Sequence, residues 1–328
     1  MSISDLYGDL RPWASAVAYQ MLGSVSEAED VVQEAFLRMH QTLQRDEQID
    51  SPRAYLATLV TRLAIDQLRS ARVRREQYVG EWLPEPLAIE ALPAEQAEIA
   101  ESLSLAFLVL LESLTPQQRA AFLLREVFEY PYAEVADIIG TDVDSTRHLV
   151  ARARNHLRKR RPRYYASRRQ WEELAQCFFA AAEEGDLPAL ERLLAQDVTL
   201  RVDGGGKVPA QVRPVNGRMR VARALASATS MLARSGFRVH VTEVNGQPGA
   251  VTIGADDRPA GVLGLDIADG RVQAIHFIAN PDKLRHLEWS GRLGTPAAPW
   301  RVQRLKPDSD PLSVRHSVTV GCTKVPKE

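Results

Sequence analysis

Ten basic residues lie between positions 145 and 169, in a stretch that contains no Asp or Glu. They are Arg147, Arg152, Arg154, Arg158, Lys159, Arg160, Arg161, Arg163, Arg168 and Arg169. Basic side chains at this density bind nucleic-acid phosphates, because each contact releases condensed counterions. An Arg in the major groove can also read guanine through two hydrogen bonds. The stretch indicates nucleic-acid binding, and a solvated helix face is the alternative interpretation.

An acidic stretch immediately precedes this basic one. Residues 76–144 contain fourteen Asp and Glu against two Arg, a balance of 2 − 14 = −12, whereas residues 145–169 carry +10. The formal net charge of the 328-residue chain is −1, so the total conceals both stretches. A near-neutral total therefore does not argue against DNA binding. We expect the acidic residues to keep the surfaces that carry them away from nucleic acid.

The basic residues begin on the second helix of a predicted helix-turn-helix. A short helix over residues 132–139 is followed by Gly140, which suits a tight turn, and by a helix from about Asp144. The first turns of such a second helix contact base edges in the major groove, and later residues hold phosphates. The candidates are Arg147 and His148 for the bases and Arg152, Arg154 and Arg158 for the phosphates, and Ser145 on the first turn is a further candidate for DNA contact.

Three helices are predicted before residue 77, because apolar residues recur there every three or four positions. The first ends at Gly23, the second begins with a capping box at residues 26–29, and the third begins at Pro52. Periodicity is lost over residues 78–93, where three prolines indicate an extended linker. Helical periodicity then resumes at Ile99. Two all-α units joined by a linker are therefore expected.

The chain changes character after residue 164. Helices are predicted over residues 171–184, 187–194 and 217–233, and strands over residues 198–202, 238–244, 250–253, 261–267 and 271–278. Helices followed by an antiparallel meander predict an α+β domain with its helices on one face of a curved sheet. Residues 291–328 are rich in Pro with weak periodicity, which predicts a tail.

Composition excludes several classes of protein. Hydrophobic residues make up 45% of the chain and charged residues 25%, which is typical of soluble proteins. The longest near-apolar run is too short to cross a bilayer, and the first residues lack a secretory signal, so a cytoplasmic protein without membrane contact is expected. Cys177 and Cys322 have no Cys or His at ligand spacing, so we predict no metal site and no cofactor.

No catalytic residue is predicted in the C-terminal region. Possible acid or base residues are Asp203, His240, Asp266 and His276. None has a second polar partner at a defined spacing, and a general base needs such positioning. The glycine-rich residues 203–207 are not a phosphate-binding loop, because Val208 replaces the Ser or Thr required after the Lys. A flexible docking loop is the favoured interpretation, and the protein is not expected to be an enzyme.

Two sequence blocks resemble the bacterial extracytoplasmic-function (ECF) sigma factors. EAEDVVQEAFLR at residues 27–38 resembles region 2, and LTPQQR at 114–119 with LLREV at 123–127 and YAEVA at 132–136 resembles region 4. The resemblance covers about residues 5–162 and has both blocks in the family's order. It implies a subunit that binds RNA polymerase core through its clamp coiled coil and flap, and that directs promoter-specific transcription initiation.

The resemblance also implies roles for particular residues. The exposed face of the region 2 helix would bind the polymerase clamp through Asp30, Gln33, Glu34, Leu37 and Arg38. The −10 element would contact Arg53, Tyr55, Arg62 and Arg69, with residues 44–51 forming the pocket for a flipped base. The sequence departs from the family at Ala57, where a second aromatic residue is common, and at Leu149, which is often basic. Tyr55 as a core residue is the alternative.

Three further segments resemble the subgroup of these sigma factors that carries a fused SnoaL-like domain. They are residues 78–87, 203–207 and 280–284, with Glu81 at a position where the subgroup usually has Pro. The resemblance implies a cone-shaped domain, related to nuclear transport factor 2, whose mouth could hold a small molecule. We expect a regulatory loop to dock on region 2 or the linker, and it comprises Asp203, Gly204, Gly205, Gly206 and Lys207. Such a domain would replace a separate anti-sigma factor.

The predicted fold class is two all-α sigma domains, a region 2 bundle and a region 4 helix-turn-helix, followed by an α+β SnoaL-like cone. The predicted divisions are residues 1–77 for region 2, 78–94 for the linker, 95–163 for region 4, 164–290 for the regulatory domain and 291–328 for the tail. One alternative is a SnoaL-type enzyme or small-molecule-binding protein with an accessory DNA-binding region, and another is a repressor. The missing catalytic constellation argues against the first, and the block at residues 27–38 against the second.

Overall fold

The structure, a computed structural model, describes residues 3–45, 48–87, 103–158 and 168–287. Ten α-helices lie in these ranges: α1 (Ile3–Leu22), α2 (Val25–Gln44), α3 (Pro52–Glu76), α4 (Leu105–Leu111), α5 (Pro116–Glu126), α6 (Tyr132–Ile139), α7 (Val143–Arg158), α8 (Arg168–Glu184), α9 (Leu187–Leu193) and α10 (Arg218–Arg234). The strands are β1 (Leu194–Asp203), β2 (Val215–Asn216), β3 (Arg238–Val244), β4 (Gln247–Ile253), β5 (Pro259–Ala268) and β6 (Arg271–Ile278). The predictions for Ile99, residues 159–163 and the tail at 291–328 lie outside the described residues.

Helices α1, α2 and α3 form the predicted N-terminal bundle. Gly23 ends α1 in the left-handed conformation, with φ of 66°. The capping box predicted at residues 26–29 is wrong, because the N-cap of α2 is Ser24. The Ser24 hydroxyl accepts a hydrogen bond from the Glu27 amide at 3.2 Å. A distant carboxylate fixes this earlier start: Glu85 accepts hydrogen bonds from the Ser24 hydroxyl at 2.8 Å and the Val25 amide at 2.7 Å.

Helices α4 to α7 form the second helical unit. Thr115 and Gln118 make a reciprocal capping box at the start of α5. Gly140 ends α6 with φ of 74° and leads into α7, which gives the predicted helix-turn-helix. The buried side chains of this unit and of the N-terminal bundle belong to one continuous hydrophobic core. The two helical units therefore pack directly against each other.

The C-terminal domain contains a six-stranded sheet in the order β2-β1-β6-β5-β4-β3. Strands β3 to β6 pair antiparallel in sequence order, as the pattern predicts. Strand β1 pairs parallel with β6, and the two-residue β2, which periodicity does not predict, pairs with β1. Asn245 and Gly246 both have positive φ, as a tight hairpin turn requires. The predicted class of two all-α units followed by an α+β domain is confirmed.

The two faces of the sheet have different partners. One face packs on α8, α9 and α10 and forms a core with residues such as Phe178, Leu190 and Ile275. A smaller cluster joins Val251 and Ile278 of the sheet with Leu83 of the linker and Leu105 of α4. The sheet is therefore covered by its own helices on one side and by the N-terminal part of the chain on the other.

Candidate nucleic-acid interface and linker clamp

The second helix of the helix-turn-helix presents its basic residues to solvent. Its buried face consists of Thr146, Val150, Ala153 and Leu157, so the charged side chains lie on the opposite face. Asp142 caps the helix by accepting the Ser145 amide at 2.8 Å and the Ser145 hydroxyl at 2.6 Å. These hydrogen bonds lower the pKa of the Asp142 carboxyl below its usual value. The first turn of α7 is thus held in place by its own cap.

The predicted base-reading and phosphate-binding residues lie along this exposed face. Arg147 and His148 are exposed, and Arg147 pairs with Asp144 at 2.9 Å. Arg152 and Arg158 are also exposed. Arg154 pairs with Glu126 of α5 at 2.7 Å, which raises the pKa of its guanidinium. Leu149 is half-buried and packs against the helical core, which accounts for an apolar residue at that position.

The four residues predicted to contact the −10 element all lie on α3, and each makes its own contact within the chain. Arg53 lies over the Trp13 ring at 5.4 Å, and Arg69 pairs with Asp66 at 3.2 Å. The half-buried Tyr55 shares a 3.0 Å hydrogen bond with Thr42.

Arg62 instead links the N-terminal bundle to the helix-turn-helix. Its Nε and Nη2 atoms donate to the backbone carbonyls of Ile138 and Asp137, each at 2.9 Å. Both carbonyls belong to the last turn of α6, where a helix leaves its acceptors unsatisfied. In this conformation the guanidinium of Arg62 is therefore committed to a contact between the two helical units.

The predicted polymerase-binding residues lie on one accessible face of α2. Asp30, Gln33, Leu37 and Arg38 are exposed, and Leu37 retains half of its accessible surface. Glu34 is half-buried and pairs with Arg38 at 2.6 Å. The opposite face of the helix packs into the core through residues such as Val32, Phe36 and Met39. An exposed Leu among charged side chains is suited to a protein partner.

Asp203 at the end of β1 is the centre of a cluster that we call the linker clamp, formed by Asp203, Tyr78, Leu83, Asn280 and Lys283. The fully buried Asp203 carboxylate accepts hydrogen bonds from the Tyr78 hydroxyl at 2.6 Å and the Leu83 amide at 2.9 Å. It also forms an ion pair with Lys283 at 2.7 Å. Asn280 donates to the Tyr78 hydroxyl at 2.8 Å. The carboxylate therefore binds the linker directly to the C-terminal domain.

Burial and charge both act on the linker clamp. The pKa of Tyr78 is raised, first by burial and then by its hydrogen bond to the negative Asp203. The ammonium of Lys283 also donates to the Leu83 carbonyl and lies 4.1 Å from the Trp82 ring centre. A single buried ion pair thus holds three consecutive features of the linker: an aromatic ring, an amide and a carbonyl.

The glycines of the predicted regulatory loop allow this close approach. Gly205 has φ of 59°, and a Cβ there would collide with the Asn280 side chain. Gly206 has φ of 70° and packs against Val79 of the linker. Lys207 forms an ion pair with Asp282. Glu81, where the resemblance leads one to expect Pro, pairs with Arg201 at 2.5 Å and so adds a contact between the linker and β1.

Sequence reasoning missed Asn245, whose side chain contacts the linker and both helical units. Its side chain is fully buried and accepts from the Leu87 amide at 2.8 Å. Its amide nitrogen donates to the Tyr19 hydroxyl and the Leu103 carbonyl, both at 2.8 Å. The Asn-Gly pair signals only a turn, so nothing in the local sequence indicates these distant partners.

Two charged residues also join distant segments of the chain and were missed by sequence reasoning. The Glu85 carboxylate lies at the N-terminus of α2, where the helix dipole favours negative charge. Arg119 is 2% exposed and donates to the Met21 carbonyl at 2.6 Å, the Leu111 carbonyl at 3.1 Å and the Glu112 carboxylate at 2.7 Å. Both side chains join segments far apart in the sequence, which periodicity cannot detect.

The possible acid and base residues do not converge on a single site. Asp266 and His276 line a small cavity between the sheet and α4, whereas His240 is exposed on β3 and Asp203 belongs to the linker clamp. Burial raises the pKa of Asp266 to about 6. Burial, followed by the charge of Arg201, lowers the pKa of His276 to about 3. No group of three or more metal-ligating side chains occurs among the described residues.

Fold and site together define a promoter-recognition subunit of the sigma-70 type. The Sigma-70 region 2 family model matches residues 6–74, and the Sigma-70, region 4 model matches residues 104–157. The chain is 37% identical to the ECF RNA polymerase sigma factor SigJ of Mycobacterium tuberculosis, over 93% of this chain and all of that protein. The chain therefore belongs to the ECF RNA polymerase sigma factors.

Other comparisons agree with this assignment. The probable ECF sigma factor SigI of M. tuberculosis is 31% identical over 84% of this chain and 92% of its own length. The crystal structure of M. tuberculosis SigJ superposes with a TM-score of 0.68 at 36% identity, covering 86% of this chain and 98% of that chain. The similarity to SigJ thus extends through the C-terminal domain.

Family membership establishes the coarse function. Sigma factors bind RNA polymerase core and promoter DNA and direct transcription initiation, and they are not enzymes. Within the described ranges, no helix is long and apolar enough to span a membrane.

Proposed function

We propose that the C-terminal domain controls this sigma factor in cis by holding it in a closed conformation. The observation that carries the proposal is the linker, which contacts Asp203 and Lys283 of the C-terminal domain on one side and Gly23 and Ser24 of region 2 on the other. Region 4 contacts region 2 in the same conformation, through Arg62 and Arg119. No separate anti-sigma factor is needed if these contacts suffice.

The closed conformation is incompatible with binding both promoter elements. The −10 and −35 elements are about 25 base pairs apart, which at about 3.4 Å per step is roughly 85 Å of DNA. In the closed chain, α3 donates hydrogen bonds to α6 of the helix-turn-helix. The two DNA-binding units must therefore separate before both can bind. Release of the linker clamp is the step that permits this, and a small molecule bound in the C-terminal domain is a candidate signal.

We further propose the division of labour in the open form. The polymerase clamp coiled coil would bind the face of α2 that carries Asp30, Gln33, Leu37 and Arg38, which is already accessible in the closed form. Region 4 would bind the flap and the −35 element. The −10 element would contact Arg53, Tyr55, Arg62 and Arg69 once Arg62 leaves α6.

The proposed units end at residues 77, 94, 163 and 290. The protein would act in the cytoplasm, together with its polymerase.

Transcription in vitro tests the control by the C-terminal domain. Core RNA polymerase is combined with the full chain or with the chain truncated after Arg163, and promoter output is measured. In parallel, the distance between α2 and α7 is followed by energy transfer between dyes at the exposed Gln41 and Asn155. We expect both output and distance to change on truncation. Unchanged values of both would refute control in cis.

Two substitutions on α7 are expected to have different effects. Arg147→Ala should weaken discrimination at one position of the −35 element by about 1–3 kcal/mol, because a bidentate base contact is lost. Arg158→Ala should lower affinity about equally for all sequences, because a phosphate contact carries no sequence information. Competition binding with promoter variants measures both. Unchanged promoter selectivity in Arg147→Ala would reject the assignment of that residue.

A further inference from the structure

A second basic stretch lies in the C-terminal domain. Residues 204–242 contain seven Lys and Arg and no Asp or Glu, a balance of +7 over 39 residues. The basic residues are Lys207, Arg213, Arg218, Arg220, Arg223, Arg234 and Arg238. The stretch comprises the loop after β1, strand β2, helix α10 and most of strand β3. Neither the linker clamp nor the helix-turn-helix uses helix α10.

Three of these arginines are exposed and unpaired. Arg213, Arg220 and Arg223 are exposed, and none forms an ion pair with any described residue. By contrast, Lys207 and Arg238 pair with Asp282 and Asp257. An unpaired Arg with no acidic residue near it in the sequence makes the local electrostatic potential more positive. The side chains are therefore available to an anionic partner.

Helix α10 presents two of the three arginines on one face. Arg220 and Arg223 are three positions apart and are neighbours on the helix surface. The opposite face is buried through Val221, Ala222 and Leu225, which fixes the rotation of the helix. Two turns further on, Ser227 and Ser230 are also exposed. Arginine and serine side chains are among the groups that contact DNA phosphates.

We propose that this face, which we call the α10 basic face and define by Arg220 and Arg223, binds the phosphate backbone of promoter DNA beside the −35 element. The proposal rests on the proposed binding of α7 to that element. Ten residue steps separate Arg158, the last residue of α7, from Arg168, the first of α8. Their Cα atoms are therefore at most about 36 Å apart in any conformation.

This tether limits where the C-terminal domain can be when region 4 is on DNA. About 36 Å corresponds to roughly one helical turn of DNA. The domain must therefore stay close to the duplex even after the linker clamp has opened, which raises its effective concentration at neighbouring phosphates. DNA is favoured over an acidic protein surface, because the tether brings the α10 basic face to a dense row of phosphates. The C-terminal domain would thus close the free chain and stabilise the promoter complex.

Salt-dependent promoter binding by the reconstituted holoenzyme tests the proposal. The variant is Arg220→Gln with Arg223→Gln, and the matched control is Arg192→Gln with Arg258→Gln, two exposed arginines elsewhere on the same domain. Loss of two phosphate contacts should reduce the slope of log K against log salt by about 1.8. The loss of affinity should be larger at low salt than at high salt, because the contribution of counterion release grows as the salt concentration falls. The double Arg→Lys variant should retain most of the slope, because its charge is unchanged.

DNA length provides a second measurement. Wild-type holoenzyme should bind a promoter fragment that extends two helical turns beyond the −35 element more tightly than a fragment that ends at it, and the Arg220, Arg223 variant should lose this preference. A slope and a length preference equal to those of the control pair would overturn the proposal. Normal promoter binding with weaker affinity for core polymerase would also overturn it and assign the face to the polymerase. Failure of α7 to bind the −35 element appears separately, as unchanged selectivity in Arg147→Ala.

Discussion

Replacement of Asp203 by Ala is expected to lower the free energy of unfolding by about 3–5 kcal/mol and to release the linker. The substitution removes the acceptor of the Tyr78 hydroxyl and the Leu83 amide, and it leaves the ammonium of Lys283 buried without its carboxylate. Removing one partner of a buried ion pair costs this much because the remaining charge is uncompensated. Chemical unfolding measures the free energy. The fluorescence of Trp82, which lies 4.1 Å from the Lys283 ammonium, reports release of the linker.

A second substitution separates the loss of a charge pair from the loss of packing. Asp203→Ala combined with Lys283→Met removes both charges, so we expect it to be more stable than Asp203→Ala alone. Asp197→Ala is the surface control, because Asp197 is an exposed residue of the same strand. If Asp203→Ala unfolded at the same denaturant concentration as Asp197→Ala, the linker clamp would not stabilise the closed conformation.

Local signals in the sequence were sufficient to predict most of the elements. Helices α1 to α3 and the strands β3 to β6 have the regular spacing of apolar residues that a buried face requires. Gly23 and Gly140 end helices with positive φ, a conformation that costs glycine little. The apolar residues of α2 pack into the core. The opposite face of the helix, which is proposed to bind polymerase, therefore remains accessible. These features depend on residues within one or two turns.

Features that depend on distant residues could not be predicted in this way. The start of α2 is fixed at Ser24 by the carboxylate of Glu85, sixty-one positions away. Strand β1 pairs parallel with β6 across the whole C-terminal domain, whereas turn signals indicate only adjacent antiparallel pairs. Apolar periodicity identifies the buried face of a helix but not the element that covers it. The shared core of the two helical units was therefore not evident, and neither was the contact between Arg62 and α6.

The distribution of charged residues along the sequence also had limited predictive value. Dividing the net charge by segment revealed the basic stretch that begins on α7, because residues 145–169 contain ten basic residues and no acid. The basic residues of 204–242 are less dense, and their significance depends on the absence of acids and on exposure. Arg119 shows that a basic residue can instead have a structural role. Its guanidinium is buried and donates hydrogen bonds to three acceptors within the chain. Segment charge therefore indicates a nucleic-acid surface only where the side chains are exposed.

Asn245→Gly is expected to shift the equilibrium between closed and open conformations toward the open form by roughly a hundredfold. Glycine preserves the positive φ of the turn, which is 52° at Asn245, and the backbone hydrogen bond to the Leu87 carbonyl at 2.9 Å. The lost side chain leaves the partly buried Leu87 amide and the buried Leu103 carbonyl without their partner. Each such orphaned group costs about 1–3 kcal/mol, and the cost falls mainly on the closed conformation. The C-terminal domain itself should remain folded.

Asn245→Gly should also affect promoter binding, because promoter binding is coupled to the equilibrium between the closed and open conformations. If only the open form binds both promoter elements, the apparent dissociation constant is the intrinsic one divided by the open fraction. Asn245→Gly should therefore increase the dye distance between Gln41 and Asn155 in the free chain and raise the affinity of the holoenzyme for promoter DNA. Asp269→Gly, at another hairpin turn with positive φ, is the matched control, because Asp269 lies at φ of 52° and is exposed. An unchanged distance in Asn245→Gly would mean that the interface does not hold the chain closed. A greater distance without tighter promoter binding would mean that closure does not limit promoter recognition.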